Sequence, residues 1–313
     1  MKASVTSLGA SGREPDEHTV ASSLAHAVNC LRGRATNPRL EAELLLTHVL
    51  DCSRAHLYAH PEHPVRSRQH AGYQELLDRR AQGEPLPYLT GHLEFYGLDF
   101  AVDPRVLIPR PETETLVELA LELISRHPSP LLADVGTGSG CIGVALAVHA
   151  PLARVYALDL SPQALRVAQA NALRHEVADR VTFIQADLLE ALPEPVDLIV
   201  ANPPYVAHQD WPSLPPEVRA HEPRLALDGG PDGLDLIRRL LHQAPTYLRP
   251  AGAILVEIGA TQGPAAARLA RQAFATADVT VQTDLGGRDR VLCIEMPGQP
   301  EPALHSPSPE SYG

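Results

Sequence analysis

Residues 113–295 repeat one unit, a short apolar run followed by a helical pattern. Helix 113–126 leads in. Runs at 131–135 (LLADV), 153–159, 180–187, 196–202 and 252–259 read as buried strands. Between them, helical patterns open near Ser139, run from Pro162 to Arg174 and cover 233–246. Helix 264–275 and strands 278–283 and 289–295, the last two joined by a Gly286-Gly287 turn, close the series. Strands that alternate with helices form a parallel sheet covered on both faces, and a short turn between the final two makes an antiparallel edge. The expected class is therefore α/β, with a seven-stranded, mostly parallel sheet.

The first part of the chain has another rhythm. From 18 to 85 the pattern is helical. Asn37-Pro38 supplies an N-cap and a first-turn proline, and Leu40, Leu44, Leu45 and Val49 follow at helical spacing. A further helix spans about 65–82 and stops at Gly83, which makes a small helical bundle domain. Residues 86–110 carry aromatic and β-branched runs (EFYG, LDFAV) around turn residues and read as a β-hairpin linker. Residues 1–17 and 297–313 are too polar, or too rich in Pro and Ser, to offset the entropy of ordering, and are expected to be disordered tails.

Composition excludes several classes. The chain has 313 residues, enough for two domains, and no run of about 18 apolar residues, so no membrane span is expected. The formal net charge is −12, with nearly all the excess beyond residue 100. That balance repels bare phosphate backbone and argues against direct DNA binding. The four cysteines stand at no metal-ligand spacing and no basic-then-apolar leader precedes them, which points to a reduced, cytoplasmic enzyme. The fifteen histidines are scattered apart from a His56, His60 and His63 turn, so no metal is expected.

Two motifs carry chemistry. Asp134-Val135-Gly136-Thr137-Gly138-Ser139-Gly140 sits where the first strand gives way to a helix, and its glycines let the backbone turn and approach a ligand closely. Gly138, Gly140 and Gly143 also spell the dinucleotide fingerprint, but the strand ends at Val135, so that match starts too late. Asp159, ending the second strand, can accept bonds from ribose hydroxyls in a nicotinamide or an S-adenosylmethionine enzyme alike. Asp187-Leu188, after the third strand, can hold an adenine amino group and ring. The deciding motif is Asn202-Pro203-Pro204-Tyr205 after the fourth strand. Its consecutive prolines fix two φ angles and remove two donors, leaving free carbonyls beside the Asn202 amide and the Tyr205 ring. This is a rigid acceptor nest for an NH2 group on a planar system.

Asp-x-Gly-Thr-Gly-Ser-Gly followed by Asn-Pro-Pro-Tyr resembles the S-adenosylmethionine-dependent amino methyltransferases. Pro85–Gly91 (PLPYLTG), Glu94–Gly97 (EFYG), Leu107–Glu114 (LIPRPETE), the Glu222-Pro223…Gly229-Gly230…Gly233-Leu234 segment, Glu257-Ile258-Gly259-x-x-Gln262 and Asp289-Arg290-Val291 narrow this. Over about 20–296 the chain resembles the peptide chain release factor glutamine N5-methyltransferases. The resemblance implies a Rossmann-like class I methyltransferase domain over 111–296, with 18–85 recognising the substrate. It implies S-adenosylmethionine as methyl donor, S-adenosylhomocysteine as product, and the glutamine of a release factor Gly-Gly-Gln motif as acceptor. Asn202, Pro203 and Tyr205 are then catalytic, and Asn202, Pro203, Pro204 and Tyr205 grip the amide. Gly136, Thr137, Gly138, Ser139, Gly140, Asp159, Asp187, Leu188 and Asn202 hold the cofactor. One departure is Leu188, near which the family often has an aromatic residue. A monomer is expected, with Arg32, Arg34, Arg39, Arg66, Arg68, Arg79 and Arg80 as candidate rim contacts to the partner. Thr113 reads as a helix cap, alongside a role of 109–114 in closing over the cofactor, and Glu257 as either a structural or a substrate-side acid. The alternatives are a DNA or RNA amino methyltransferase, which needs a basic track, and a non-catalytic S-adenosylmethionine-binding module, which needs no NH2 nest.

Overall fold

A computed structural model gives the fold of residues 18–284 and 286–298. The disorder expected at 1–17, and that expected at 297–313 for all but Pro297 and Gly298, lies outside the described residues. The chain divides into two units that part between Thr90 and Gly91. Among the described residues no helix is long and apolar enough to cross a membrane.

The first unit holds α1 (Val20–Leu31), α2 (Pro38–Leu50), α3 (Arg54–Ala59), α4 (Ser67–Ala81) and α5 (Leu86–Thr90). The Asn37 side chain accepts from the Leu40 amide at 3.2 Å, capping α2 with Pro38 in its first turn. Leu24, Leu31, Leu45, Leu46, Tyr73 and Leu77 form the core. α2 also buries two acids, Glu41 and Glu43. Glu41 pairs with Arg80 at 2.6 Å, and Glu43 takes Arg39, Arg54 at 2.6 Å and the Tyr58 hydroxyl at 2.7 Å. Arg79 is held by Glu84 at 2.6 Å. Arg80 is thus engaged inside the unit rather than offered at a rim, because a buried carboxylate must keep its cation, whereas Arg39 and Arg79 pair with their acids while staying about half exposed. Residues 86–90, expected with the hairpin, are a helical turn instead, where Pro87 occupies the first-turn position that prolines tolerate.

The second unit opens with a hairpin, β1 (His92–Phe95) and β2 (Leu98–Ala101), turned through Tyr96 and Gly97 at φ +52° and +73°. Then follow α6 (Glu114–Ile124), β3 (Leu131–Val135), α7 (Cys141–His149), β4 (Arg154–Asp159), α8 (Pro162–Arg174), β5 (Val181–Gln185) and β6 (Val196–Ala201). Last come α9 (Pro216–His221), α10 (Asp235–Tyr247), β7 (Leu248–Glu257), α11 (Gly263–Ala273), β8 (Asp278–Thr283) and β9 (Asp289–Glu295). The strand order is β5-β4-β3-β6-β7-β9-β8. The pairs from β5 to β7 are parallel and β9 runs antiparallel to both neighbours. This is the mostly parallel seven-stranded sheet that the sequence predicts. β3 is buried along its whole length, and Cys141–Ala147 of α7 are buried on every side.

The order reverses at β3. The chain steps outward to β4 and β5, then crosses back to lay β6 on the other side, which opens a crevice at the carboxyl ends. Register fixes what stands there. Val135 pairs with Leu158 and with Ala201, and Ala201 pairs with Val256. Gly136, Asp159, Asn202 and Glu257 are therefore the next residues out on four adjacent strands.

Arg80→Ala leaves Glu41 buried without its cation. A loss of about 3 kcal/mol is expected, read as a lower urea midpoint of the full chain, whereas Arg34→Ala, at an exposed position, should leave the midpoint in place.

Candidate active site

The glycine-rich loop after β3 is set by backbone demand. Gly136, Gly138 and Gly140 stand at φ +72°, +55° and +81°, where a Cβ is strained. The amides of Gly136 and Thr137 donate to the Leu158 carbonyl at 2.8 and 2.9 Å. Asp134 anchors the loop from beneath. Its Oδ2 accepts from the Thr137 hydroxyl at 2.6 Å and the Gly143 amide at 2.9 Å. Its Oδ1 is buried and meets no partner among the described residues. Burial pushes this carboxyl up to about 6, against the two hydrogen bonds. Gly143, a letter of the dinucleotide fingerprint, serves packing: a Cβ there would lie 2.8 Å from Asp134 Oδ2.

Asp159 accepts from the Ser161 amide at 2.8 Å and the Gly138 amide at 2.9 Å, one on each oxygen. Burial raises its carboxyl above the ordinary value. Each oxygen keeps a lone pair for a hydroxyl donor. Asp187 pairs with Arg239 at 2.7 Å, and Leu188 follows at φ +56°.

These segments enclose a cavity of about 410 Å3, a volume suited to a small molecule. Gly136 to Ser139, Asp159, Asp187 and Leu188 lie on its wall, and so do Asn202, Pro203 and Pro204. Gly140 and Tyr205 are not on the wall. Gly140 lets α7 close on α8, since a Cβ there would stand 3.0 Å from that of Ala168. Glycines that bring main chain to the cavity, an acid with a spare lone pair on each oxygen after β4 and an acid with an apolar neighbour after β5 fit an adenosine-bearing cofactor.

The Asn-Pro-Pro-Tyr segment is held from behind. Asn202 Nδ2 donates to Thr113 Oγ1 at 3.2 Å, and the Thr113 hydroxyl donates to Glu257 Oε2 at 2.7 Å. The Tyr205 hydroxyl donates to Glu257 Oε1 at 3.4 Å. Glu257 is 1 % exposed. Burial pushes its carboxyl up, opposed by the Thr113 bond, the Arg290 charge and Tyr205. Burial and Glu257 push the Tyr205 phenol up to about 12. Gln262 Nε2 donates to the Tyr205 carbonyl at 3.0 Å and the Gly233 carbonyl at 3.2 Å, while its Oε1 accepts from the Gly259 amide at 2.8 Å. Gly233 is required there, because a Cβ would fall 2.3 Å from the Tyr205 carbonyl oxygen.

The 109–114 run does more than start a helix. Arg110 pairs with buried Glu222, which also accepts from the Ile108 amide at 3.2 Å. Thr113 is not the cap its position suggests. It has helical φ and ψ and makes no capping bond, because its hydroxyl is committed to Glu257. Sequence reasoning left Glu257 undecided and gave Gln262, Glu222 and Arg239 no role. The runs containing Glu222, Glu257 and Gln262 stood out, but partners 52 to 144 residues away leave no local signal.

Residues 22–91 match the family described as PrmC N-terminal domain, and residues 114–214 the family described as Methyltransferase small domain. The chain is 48 % identical over 274 residues to a protein of Moorella thermoacetica named Release factor glutamine methyltransferase, covering 87 % of this chain and 96 % of that one. A protein of the same name from Chlorobaculum tepidum is 43 % identical, covering 82 % and 89 %. Among solved structures, the hMettl16 catalytic domain in complex with the MAT2A 3'UTR hairpin 1 superposes with a TM-score of 0.53 at 16 % identity, covering 95 % of this chain and 100 % of that one, a likeness of fold alone.

Two outcomes follow from this geometry. Asp134 ionises near 3.8 when unfolded and about 6 when folded. Between those values the native chain keeps a proton that the unfolded chain has lost. The group therefore becomes a penalty as pH rises through that window, reaching about 3 kcal/mol above it. Asp134→Asn should gain stability relative to the parent at about pH 7.5 and lose that advantage near pH 4, in paired urea titrations. Gly233→Ala should lower the thermal midpoint by several degrees, as about 1–3 kcal/mol of overpacking implies, with an unchanged midpoint arguing that the loop yields.

Proposed function

The chain belongs to the release factor glutamine methyltransferases, and from there we propose that it transfers a methyl group from S-adenosylmethionine to the side-chain amide nitrogen of the glutamine in a release factor Gly-Gly-Gln motif. The observation that carries this reading is the meeting of the glycine-rich loop and Asn202-Pro203-Pro204 on one cavity at the switch point of the sheet. Gly136 to Ser139, Asp159, Asp187 and Leu188, all on the cavity wall, would hold the cofactor, with the Asp159 oxygens open to its ribose hydroxyls. When bound, S-adenosylmethionine supplies a methyl group on a positively charged sulfur.

The chain's own task is set by the acceptor. An amide nitrogen is a weak nucleophile, since its lone pair is shared with the carbonyl. Two fixed acceptors, the Asn202 side-chain oxygen and the Pro203 carbonyl, take both N–H bonds, aim the nitrogen, and favour electron density upon it. No side chain need remove a proton first. Pro203 and Pro204 hold these acceptors in place without an ordering cost at the moment of binding. The helical unit, which carries the family's N-terminal domain, is assigned to recognition of the release factor, and the enzyme to the cytoplasm where release factors meet ribosomes. An acidic catalytic unit disfavours the nucleic-acid alternative.

Isothermal titration should show S-adenosylmethionine binding and no NADH binding. In a labelled-methyl assay, release factor should accept label while its Gln→Ala variant and duplex DNA do not; label on DNA alone would overturn the assignment. Asn202→Ala should reduce transfer by about 100-fold or more while cofactor affinity stays within a few fold of the parent. Asp159→Ala should weaken cofactor binding about 10- to 100-fold.

A further inference from the structure

We propose that Thr113 and Glu257 are positioning residues that dictate which end of the Asn202 side-chain amide faces the substrate. The argument is one of donors and acceptors, and it rests on the methyl-transfer reading above. An ionised carboxylate can only accept hydrogen bonds, and against the burial that opposes it, the Thr113 hydroxyl, the Arg290 charge and the Tyr205 hydroxyl favour that form of Glu257. Glu257, buried at the end of β7, receives the Thr113 hydroxyl at 2.7 Å. That bond spends the only proton of the Thr113 side chain, so its oxygen can offer Asn202 nothing but a lone pair. Asn202 must then present its NH2 to Thr113, as it does at 3.2 Å. The oxygen is left for the cavity that Asn202 borders.

The order of the relay carries the chemistry. A free asparagine amide has two faces of nearly equal shape, a donor and an acceptor, exchanged by a half-turn of its terminal torsion. With the donor outward, the residue would meet the glutamine NH2 as like meets like. With the acceptor outward, it grips an N–H. The sheet register places Glu257 beside Asn202 on neighbouring strands, and the turn before α6 supplies Thr113 between them. Tyr205 adds a second donor to the same carboxylate at 3.4 Å. Neither Thr113 nor Glu257 needs to touch the reacting atoms to act in this way.

Substitution at Thr113 separates orientation from packing. Thr113→Val keeps the shape and removes the hydroxyl. In steady-state transfer to release factor by the full-length enzyme, kcat should fall about 100-fold, while S-adenosylmethionine affinity by titration stays near the parent value. Thr113→Ser restores the hydroxyl and should recover most of kcat. Glu257→Gln places a potential donor beneath Thr113, lets the relay reverse, and should match the valine variant. A valine variant as fast as the parent, or a serine variant as slow as valine, would overturn the proposal. One readout is independent of activity: in 15N-labelled full-length protein, the Asn202 side-chain NH2 signal, assigned by its loss in Asn202→Ala, should exchange slowly with water in the parent and quickly in Thr113→Val. If release factor is no substrate, that signal still decides the relay, and equal exchange in both proteins would reject it.

Discussion

A parallel strand cannot turn back on itself. Its chain must leave the sheet at the carboxyl end, and two neighbours whose chains leave in opposite directions open a gap between their loops. The whole site descends from that constraint. Because β3 pairs in register with both β4 and β6, Gly136, Asp159 and Asn202 emerge side by side, and β7 adds Glu257 to the row. The cavity is thus placed by main-chain hydrogen bonding before any functional side chain contributes.

Carboxylates withdrawn wholly or partly from water then do the local work, each in a different manner. Asp134 ties the glycine-rich loop to α7. Asp159 receives amides from both flanking loops. Glu222 fastens the segment before α6 to the turn after α9. Glu257 anchors the tether behind Asn202. Each is given hydrogen-bond donors in return for the water it loses.

The elements themselves were legible in the sequence because their signals are local. Apolar runs of strand length, Asn37 before Pro38 and glycines at positive φ need only a few neighbouring residues to be read. The motifs were legible because backbone geometry at Gly136 and Pro203 permits few residue types. What stayed hidden was pairing. Thr113 looked like a helix cap because only its near neighbours were visible, and Glu257 lies 144 residues on. Arg80 looked like a surface cation because its burial depends on α2 being surrounded. Residues 86–90 read as extended since proline seldom announces a single helical turn. In each case a tertiary neighbour decided the outcome.

The stretch from Tyr205 to Asp235 is clasped at its base. Val206 donates to the Leu227 carbonyl and accepts from Gly229, and Gln262 closes over Gly233. Between those fastenings Glu222 pairs with Arg110, and Pro223, Leu225 and Ala226 line the cavity, whereas 208–221, with Trp211 under Arg224, is an excursion off the cavity wall whose ends are already fixed. Such an excursion can lengthen, shorten or change its side chains through descent while the reaction chamber keeps its dimensions. Divergence of sequence can therefore accumulate there without a toll on chemistry.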